Sequence, residues 1–181
     1  MNIHTKAVHA GDRKKAPAEI PVTTPIYSAA SYISETTEQL DRIFAHELEG
    51  HSYSRYGNPT AAALEELVAA LENGHGALAC ASGMSALEIA VNTALVDRPK
   101  SVLSADALYG ATINLFARVF EPLGVRVRYV DMCDLEAVER AIREHKPGCV
   151  LMETVSNPTL RVSAIDRIAV LARATDRKSV V

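Results

Sequence analysis

Tyr53, Ser54, Arg55 and Tyr56 run directly into Gly57-Asn58-Pro59-Thr60, and a guanidinium two residues from a phenol is a combination suited to a phosphate. In an extended segment such residues project to the same side, and the planar guanidinium fork matches phosphate oxygens two at a time. A second candidate is Ser82-Gly83-Met84, where the apolar run Leu78 to Ala81 meets a helix marked by Met84, Leu87, Val91 and Leu95 at helical spacing. Ser82 is a good N-cap, and Gly83 lets a ligand approach the backbone closely. A phosphate there would meet the free N–H groups of the first turn and the positive end of the helix dipole. Taken alone, this junction reads more readily as an ordinary capped turn that binds nothing. The third candidate is Tyr109-Gly110, just past an apolar strand, whose ring could stack on a planar heterocycle. Together the three clusters point to a phosphorylated aromatic ring.

The elements that must position these groups can be read from periodicity. Residues 1–59, punctuated by Pro17, Pro21 and Pro25, read as an extended arm. The arm carries one short helix with Leu40, Ile43, Phe44 and Leu48, expected to run from a cap at Ser34 to a stop at Gly50. His46 and His51 flank Glu47 and Glu49, but a separation of five puts the imidazoles on different helix faces, so a solvated face is expected and no metal site. After Asn58-Pro59-Thr60, the stripe Leu64, Leu67, Val68 and Leu71 predicts a helix ending at Asn73-Gly74. Strand Ser101 to Ser104, helix Thr112 to Phe120, strand Val125 to Val130, a helix capped by Asp134, strand Cys149 to Met152 and a helix after Ser163 then alternate. This predicts an α/β domain with a mostly parallel sheet, helices on both faces, and ligands at the carboxyl ends of the strands. Ser82, Asp106, Tyr109, Glu153 and Asn157 fall at those ends.

The 181 residues are 48% hydrophobic, enough for one sizeable core. Nineteen basic against 22 acidic residues give a net charge of −3 without a basic stripe, which argues against a nucleic-acid partner. Anionic ligands must therefore be held by individual residues. No apolar run approaches the roughly 18 residues of a membrane span, and the first residues lack a signal-peptide core, so no membrane partner and a cytoplasmic location are expected. Cys80, Cys133 and Cys149 are isolated in sequence and read as buried thiols, with neither a disulfide framework nor a zinc site.

The wording of these segments resembles the Cys/Met-metabolism (trans-sulfuration) family of enzymes dependent on pyridoxal 5'-phosphate (PLP), among them cystathionine gamma-synthase, cystathionine gamma-lyase and O-acetylhomoserine sulfhydrylase. The quotable pieces are Val8-His9-Ala10-Gly11, Pro25-Ile26-Tyr27, Tyr53 to Thr60, Ala81-Ser82-Gly83-Met84-Ser85-Ala86, Tyr109-Gly110-Ala111-Thr112 and Glu153-Thr154-Val155-Ser156-Asn157-Pro158, spanning about Thr5 to Ala174. The resemblance implies an aspartate-aminotransferase-like (fold type I) large domain, three-layer α/β/α and incomplete at its C-terminus. It implies that Ser82, Gly83 and Met84 hold the PLP phosphate, that Tyr53 and Arg55 reach it from a neighbouring subunit, that Asn157 sits near the ring hydroxyl, and that Tyr109 stacks on the ring and assists catalytic proton movement. A homodimer or homotetramer with shared sites follows.

The implied layout is an inter-subunit arm over 1–59, a partial PLP-binding domain over 60–174, and a tail at 175–181 foreign to the natural protein, since Thr175 to Val181 breaks both the helix pattern and the resemblance. Family members place a strand bearing an aspartate after the last helix, and later a Ser-x-Thr-Lys segment with the Schiff-base lysine. None of Lys6, Lys14, Lys15, Lys100, Lys146 and Lys178 has that context, so this chain is expected to be truncated and inactive. The reaction implied for the complete enzyme is elimination or replacement at the gamma carbon of homoserine esters or cystathionine. Ala111, where methionine-cleaving members carry cysteine, weighs against methionine cleavage. The alternatives are a non-catalytic phosphate-binding or oligomerising fragment and a Rossmann-like nucleotide-binding module. The latter would need a Gly-x-Gly-x-x-Gly after a strand, whereas Gly74 and Gly76 precede the apolar run.

Overall fold

The computed structural model describes residues 2–5, 21–174 and 178–180. The Val8 to Gly11 motif, Pro17 and residues 175–177 lie outside the described residues. The chain divides into two compact units, Met1–Ala79 and Cys80–Val181, with helix Pro59–Leu71 in the first.

In the first unit, residues 21–30 are exposed and without regular structure. Helix α1 (Thr37–Phe44) is capped by Thr36, whose hydroxyl accepts from Gln39 N, while Gln39 Oε1 accepts from Glu35 N at 2.7 Å. This reciprocal arrangement, close to a capping box, displaces the cap from the expected Ser34, which has no glutamine or glutamate three residues on. The helix also ends before Leu48 and Gly50. His46 turns left-handed at φ 56°, Glu47 N reaches back to Arg42 O at 2.9 Å, and His46 N to Ile43 O at 3.1 Å, a Schellman closure made without glycine. Helix α2 (Pro59–Leu71) follows the sequence reading: Asn58 Oδ1 accepts from Thr60 N, Pro59 occupies the first turn, and Asn73 turns left-handed. Its apolar stripe is not covered, with Leu64, Leu67, Val68 and Leu71 between 40% and 75% exposed.

The run from Leu78 to Ala81, where the first unit gives way to the second, forms no strand; the second unit then opens with helix α3 (Gly83–Ala94). There follow strand β1 (Ser101–Ala105), helix α4 (Gly110–Leu115) continued by a π turn (Phe116–Phe120) and a 3-10 turn (Glu121–Leu123), strand β2 (Arg126–Val130), helix α5 (Leu135–His145), strand β3 (Cys149–Leu151), helix α6 (Ile165–Ala174) and strand β4 (Lys178–Val180). The sheet order is β2-β1-β3-β4 and every pairing is parallel, as the strand–helix alternation predicts. β4 is a strand after the last helix, though its Lys178-Ser179-Val180 carries no aspartate of the kind the resemblance implies there. Its pairing Cys149↔Lys178, Val150↔Ser179 and Leu151↔Val180 carries the sheet into the segment read from sequence as a foreign tail.

β1 is buried at all five residues, as a central strand covered on both faces must be, whereas β2 is an edge strand with Arg126, Arg128 and Tyr129 exposed. The core gathers Val91, Val102, Leu103, Phe116, Phe120, Val138, Ile142, Val150, Leu151 and Ile168. Two polar atoms interrupt it: the hydroxyls of Ser101 and Ser104 are buried without a hydrogen-bond partner. Where β3 begins, Gly148 N donates to Ser101 O at 2.7 Å, and a Cβ on Gly148 would overlap the Pro99 carbonyl oxygen.

Candidate functional site

In the first unit, the segment around Tyr53 is a tight turn rather than the extended run expected. Tyr53 pairs with Ser31 in an isolated antiparallel bridge, Ser54 N and Oγ donate to Ala30 O and Ala29 O, and Tyr56 N then closes back on Tyr53 O at 2.8 Å. Asn58 holds the turn from the far side, its Nδ2 lying 3.0 Å from Tyr27 O, 2.9 Å from Tyr32 Oη and 3.2 Å from Ser54 Oγ. The turn still brings the two candidate side chains together. The Arg55 guanidinium carbon is 5.3 Å from the centre of the Tyr53 ring, and one terminal nitrogen is 3.5 Å from its hydroxyl, a stacked cation–ring pair. His51, read as solvated, is half-buried beside the Tyr32 ring. Among the described residues no three His, Cys, Asp or Glu side chains cluster to hold a metal.

In the second unit, Ser82 caps α3: its hydroxyl accepts from Ser85 N at 3.1 Å and lies 3.0 Å from Ser85 Oγ, while Ala86 N closes the first helical bond onto Ser82 O. A helix leaves its first N–H groups without partners in the helix itself. Here those of Gly83 and Met84 have no partner among the described residues. A Cβ placed on Gly83 meets nothing within 4 Å, so the backbone is open to approach on that side of the helix start.

Tyr109 follows β1 as the residue before α4 and is 51% exposed. Its backbone N donates to Glu153 Oε1 at 2.9 Å. Asn157, exposed in the loop after β3, donates its own backbone N to Glu153 Oε2 at 2.9 Å. Because β1 and β3 are neighbours in the sheet, this carboxylate reaches a residue 44 positions earlier in the sequence. The loop is secured further on. Ser156 Oγ accepts from Arg161 N, Leu160 turns left-handed at φ 55°, and the Arg161 guanidinium reaches both carboxylate oxygens of Asp131, at 2.8 and 2.6 Å. The hydrogen bond from Arg161 holds the Asp131 carboxyl below its ordinary range, helped by Cys133 N, and the same pair pushes the Arg161 guanidinium higher. Asp106, Asp131, Cys133, Glu153, Ser156, Arg161 and Ser163 line a small hollow at these carboxyl ends. Glu153 was legible in sequence as a residue at a strand end but not as the bridge between two candidate site residues. The signal available was a carboxylate leaving an apolar strand four residues ahead of Asn157.

Of the sequence-derived candidates, the structure thus gathers Tyr53 with Arg55 in one unit. In the other, Ser82, Gly83 and Met84 form one helix start, and Tyr109 is tied to Asn157 through Glu153.

Comparison with known proteins adds an independent finding. A family model described as Cys/Met metabolism PLP-dependent enzyme matches residues 4–181, further toward the C-terminus than the motifs alone reach. The chain is 37% identical over 168 residues to a homocysteine/cysteine synthase of Kluyveromyces lactis, covering 93% of this chain and 37% of the relative. It is 34% identical over 177 residues to an L-methionine gamma-lyase of Fusobacterium nucleatum subsp. polymorphum, covering 98% and 44%. Among solved structures, one from Campylobacter jejuni containing N'-pyridoxyl-lysine-5'-monophosphate superposes with a TM-score of 0.73 at 28% identity, covering 88% of this chain and 39% of that one. The chain therefore spans less than half the length of these relatives. Among the described residues no helix is long and apolar enough to cross a membrane.

Proposed function

We propose that this chain, which belongs to the Cys/Met-metabolism family of PLP-dependent enzymes, binds pyridoxal 5'-phosphate at the start of α3 and supplies part of an active site for sulfur amino acids. The observation that carries this reading is the pair of N–H groups at Gly83 and Met84 that have no partner among the described residues, where a Cβ on Gly83 would meet nothing within 4 Å. That donor set fits a phosphate: two backbone donors at the positive end of a helix dipole, the first of them on a residue without a side chain. When bound, the cofactor supplies an electron sink for bond breaking at a small amino-acid substrate.

The chain's own residues would do the rest. Gly83 and Met84 take phosphate oxygens, with the Ser82 hydroxyl holding the turn in register. The stacked Tyr53–Arg55 pair adds a phenol and a planar cation whose donor fork is already oriented. The Tyr109 ring offers a flat face to the pyridine, and its hydroxyl moves a proton at the leaving group. The Asn157 side chain donates toward the ring hydroxyl. For the complete enzyme we propose elimination or replacement at the gamma carbon of homoserine esters or cystathionine. The Tyr53–Arg55 pair would serve the site of a neighbouring subunit in a homodimer or homotetramer.

The test uses pyridoxine 5'-phosphate, whose alcohol cannot condense with surface lysines, against pyridoxine and inorganic phosphate in equilibrium titrations. The chain should bind the phosphorylated ring at least about tenfold more tightly than either fragment, since each charge-assisted bond is worth roughly 1.5–3 kcal/mol. Gly83→Val should abolish that binding while leaving helix content intact, because its branched side chain occupies the phosphate's space. Equal affinity for the phosphorylated ring and for phosphate would favour the non-catalytic phosphate-binding reading, and unchanged affinity in Gly83→Val would remove this turn as the phosphate site.

A further inference from the structure

Glu153 is the first charged residue after β3, and both its carboxylate oxygens are engaged by backbone: Oε1 by Tyr109 N and Oε2 by Asn157 N, each at 2.9 Å. Neither contact lies within regular structure. Tyr109 sits in the turn between β1 and α4, and Asn157 in the loop between β3 and α6. Turns at strand ends have several accessible backbone directions, and the direction chosen decides where a side chain points. A two-oxygen acceptor that receives one N–H from each turn fixes both at once.

The loop's other contacts hold it on either side of Asn157 without reaching Tyr109. Ser156 N bonds to Arg161 O, Ser156 Oγ receives Arg161 N, and Arg161 is clamped to Asp131 at the end of β2. Thr112 N, one turn into α4, bonds back to Tyr109 O but leaves Tyr109 N free for Glu153. Among the described residues, Glu153 joins the backbones of Tyr109 and Asn157 directly.

We infer that Glu153 is a positioning residue: its carboxylate sets the Tyr109 ring and the Asn157 side chain as one pair for the aromatic part of the ligand, independently of the phosphate cradle at Gly83 and Met84. This rests on the reading that the site takes a phosphorylated pyridine. The chemistry gives the inference a specific signature. Glutamine matches glutamate in shape but carries one acceptor oxygen and one NH2 group, so it can receive one of the two N–H donors and must turn its own donor toward the other. Alanine receives neither.

The experiment compares the wild-type chain with Glu153→Gln and Glu153→Ala in three measurements: amide hydrogen exchange at Tyr109 and Asn157, equilibrium titration with pyridoxine 5'-phosphate, and titration with inorganic phosphate. In Glu153→Ala both amides should exchange quickly; in Glu153→Gln one should stay protected and the other should not. Affinity for pyridoxine 5'-phosphate should fall about tenfold in both variants, the scale of one lost charge-assisted hydrogen bond, while affinity for inorganic phosphate stays at the wild-type value. Protected amides in Glu153→Ala, or equal losses for both probes, would overturn the inference and leave the function reading standing. A wild-type chain that does not prefer pyridoxine 5'-phosphate to phosphate would overturn both.

Discussion

Cys149 and Cys133 carry the same side chain into opposite surroundings. Cys149 is fully buried in β3, and burial pushes its thiol up to about 12, so at neutral pH the reactive thiolate is absent. Cys133 is exposed in the turn before α5, 3.6 Å from Val162 O, and so departs from the buried thiol expected for all three cysteines. Iodoacetamide at neutral pH should therefore modify Cys133 in the native chain and Cys149 only after unfolding, as peptide mass spectrometry would show. Modification of both at the same rate would mean that β3 is not buried in solution. Isolated spacing argues against a disulfide framework. It could not tell the environments apart, because exposure at Cys133 is decided by the turn Asp131 to Asp134, whose carboxylates bond Cys133 N and Ala137 N. At the same scale, Arg161 lowers the Asp131 carboxyl below its ordinary value of 3.8. The folded value is the depressed one, so the contribution to stability is complete above the unfolded value and lost as pH falls through the folded one. Arg161→Met should lower stability slightly at neutral pH and leave it unchanged at about pH 2, so the loss between the two becomes smaller; the difference is modest because the pair is largely solvated and screened. Urea midpoints at the two pH values check this, and an unchanged acid-side slope would discard it.

Elements succeed or fail by their ends. The bounds of α2 and α5 were legible because Asn58-Pro59 and Asp134 are strong local signals whose oxygens cap as expected. Those of α1 were not, because Ser34 and Thr36 are both acceptable caps and Gln39 decides between them. The Tyr53 to Tyr56 turn was missed for a related reason: spacing of two is equally compatible with an extended strand and with a closed turn, and what closes it is Asn58 bonding to Tyr27 and Tyr32 far upstream. At the junction of β1 and β3, Gly148 marks a close backbone approach. Gly148→Ala should destabilise the chain by about 1–3 kcal/mol, as overpacking does when the opposing atom is backbone and cannot yield. The reading is the urea midpoint, and an unchanged value would show that this approach does not exist in solution.

For the whole molecule, the strand–helix alternation made a parallel α/β fold legible, but the order β2-β1-β3-β4 is set by which strands share buried faces, which one chain's periodicity does not encode. The uncovered stripe on α2 has the same origin: its spacing names a face to be buried but not what buries it. If the Tyr53–Arg55 pair serves a neighbouring subunit's site, mixing Arg55→Ala with Tyr109→Ala chains should restore part of the pyridoxine 5'-phosphate binding that each lacks alone, because one of the sites in a mixed dimer keeps both residues. No recovery on mixing would place both residues in the site of a single chain. The orphaned hydroxyls of β1 have a different kind of consequence, one for anyone wishing to make the chain hardier. Ser104 is wholly buried and its oxygen bonds to nothing described, so the folded state forgoes the hydration that this hydroxyl enjoys in the unfolded chain. Removing it breaks no hydrogen bond among the described residues. Ser104→Ala should raise the melting temperature, by an amount equivalent to about 1 kcal/mol, making the centre of the sheet, rather than its surface, the place where a single atom deleted yields a tougher protein.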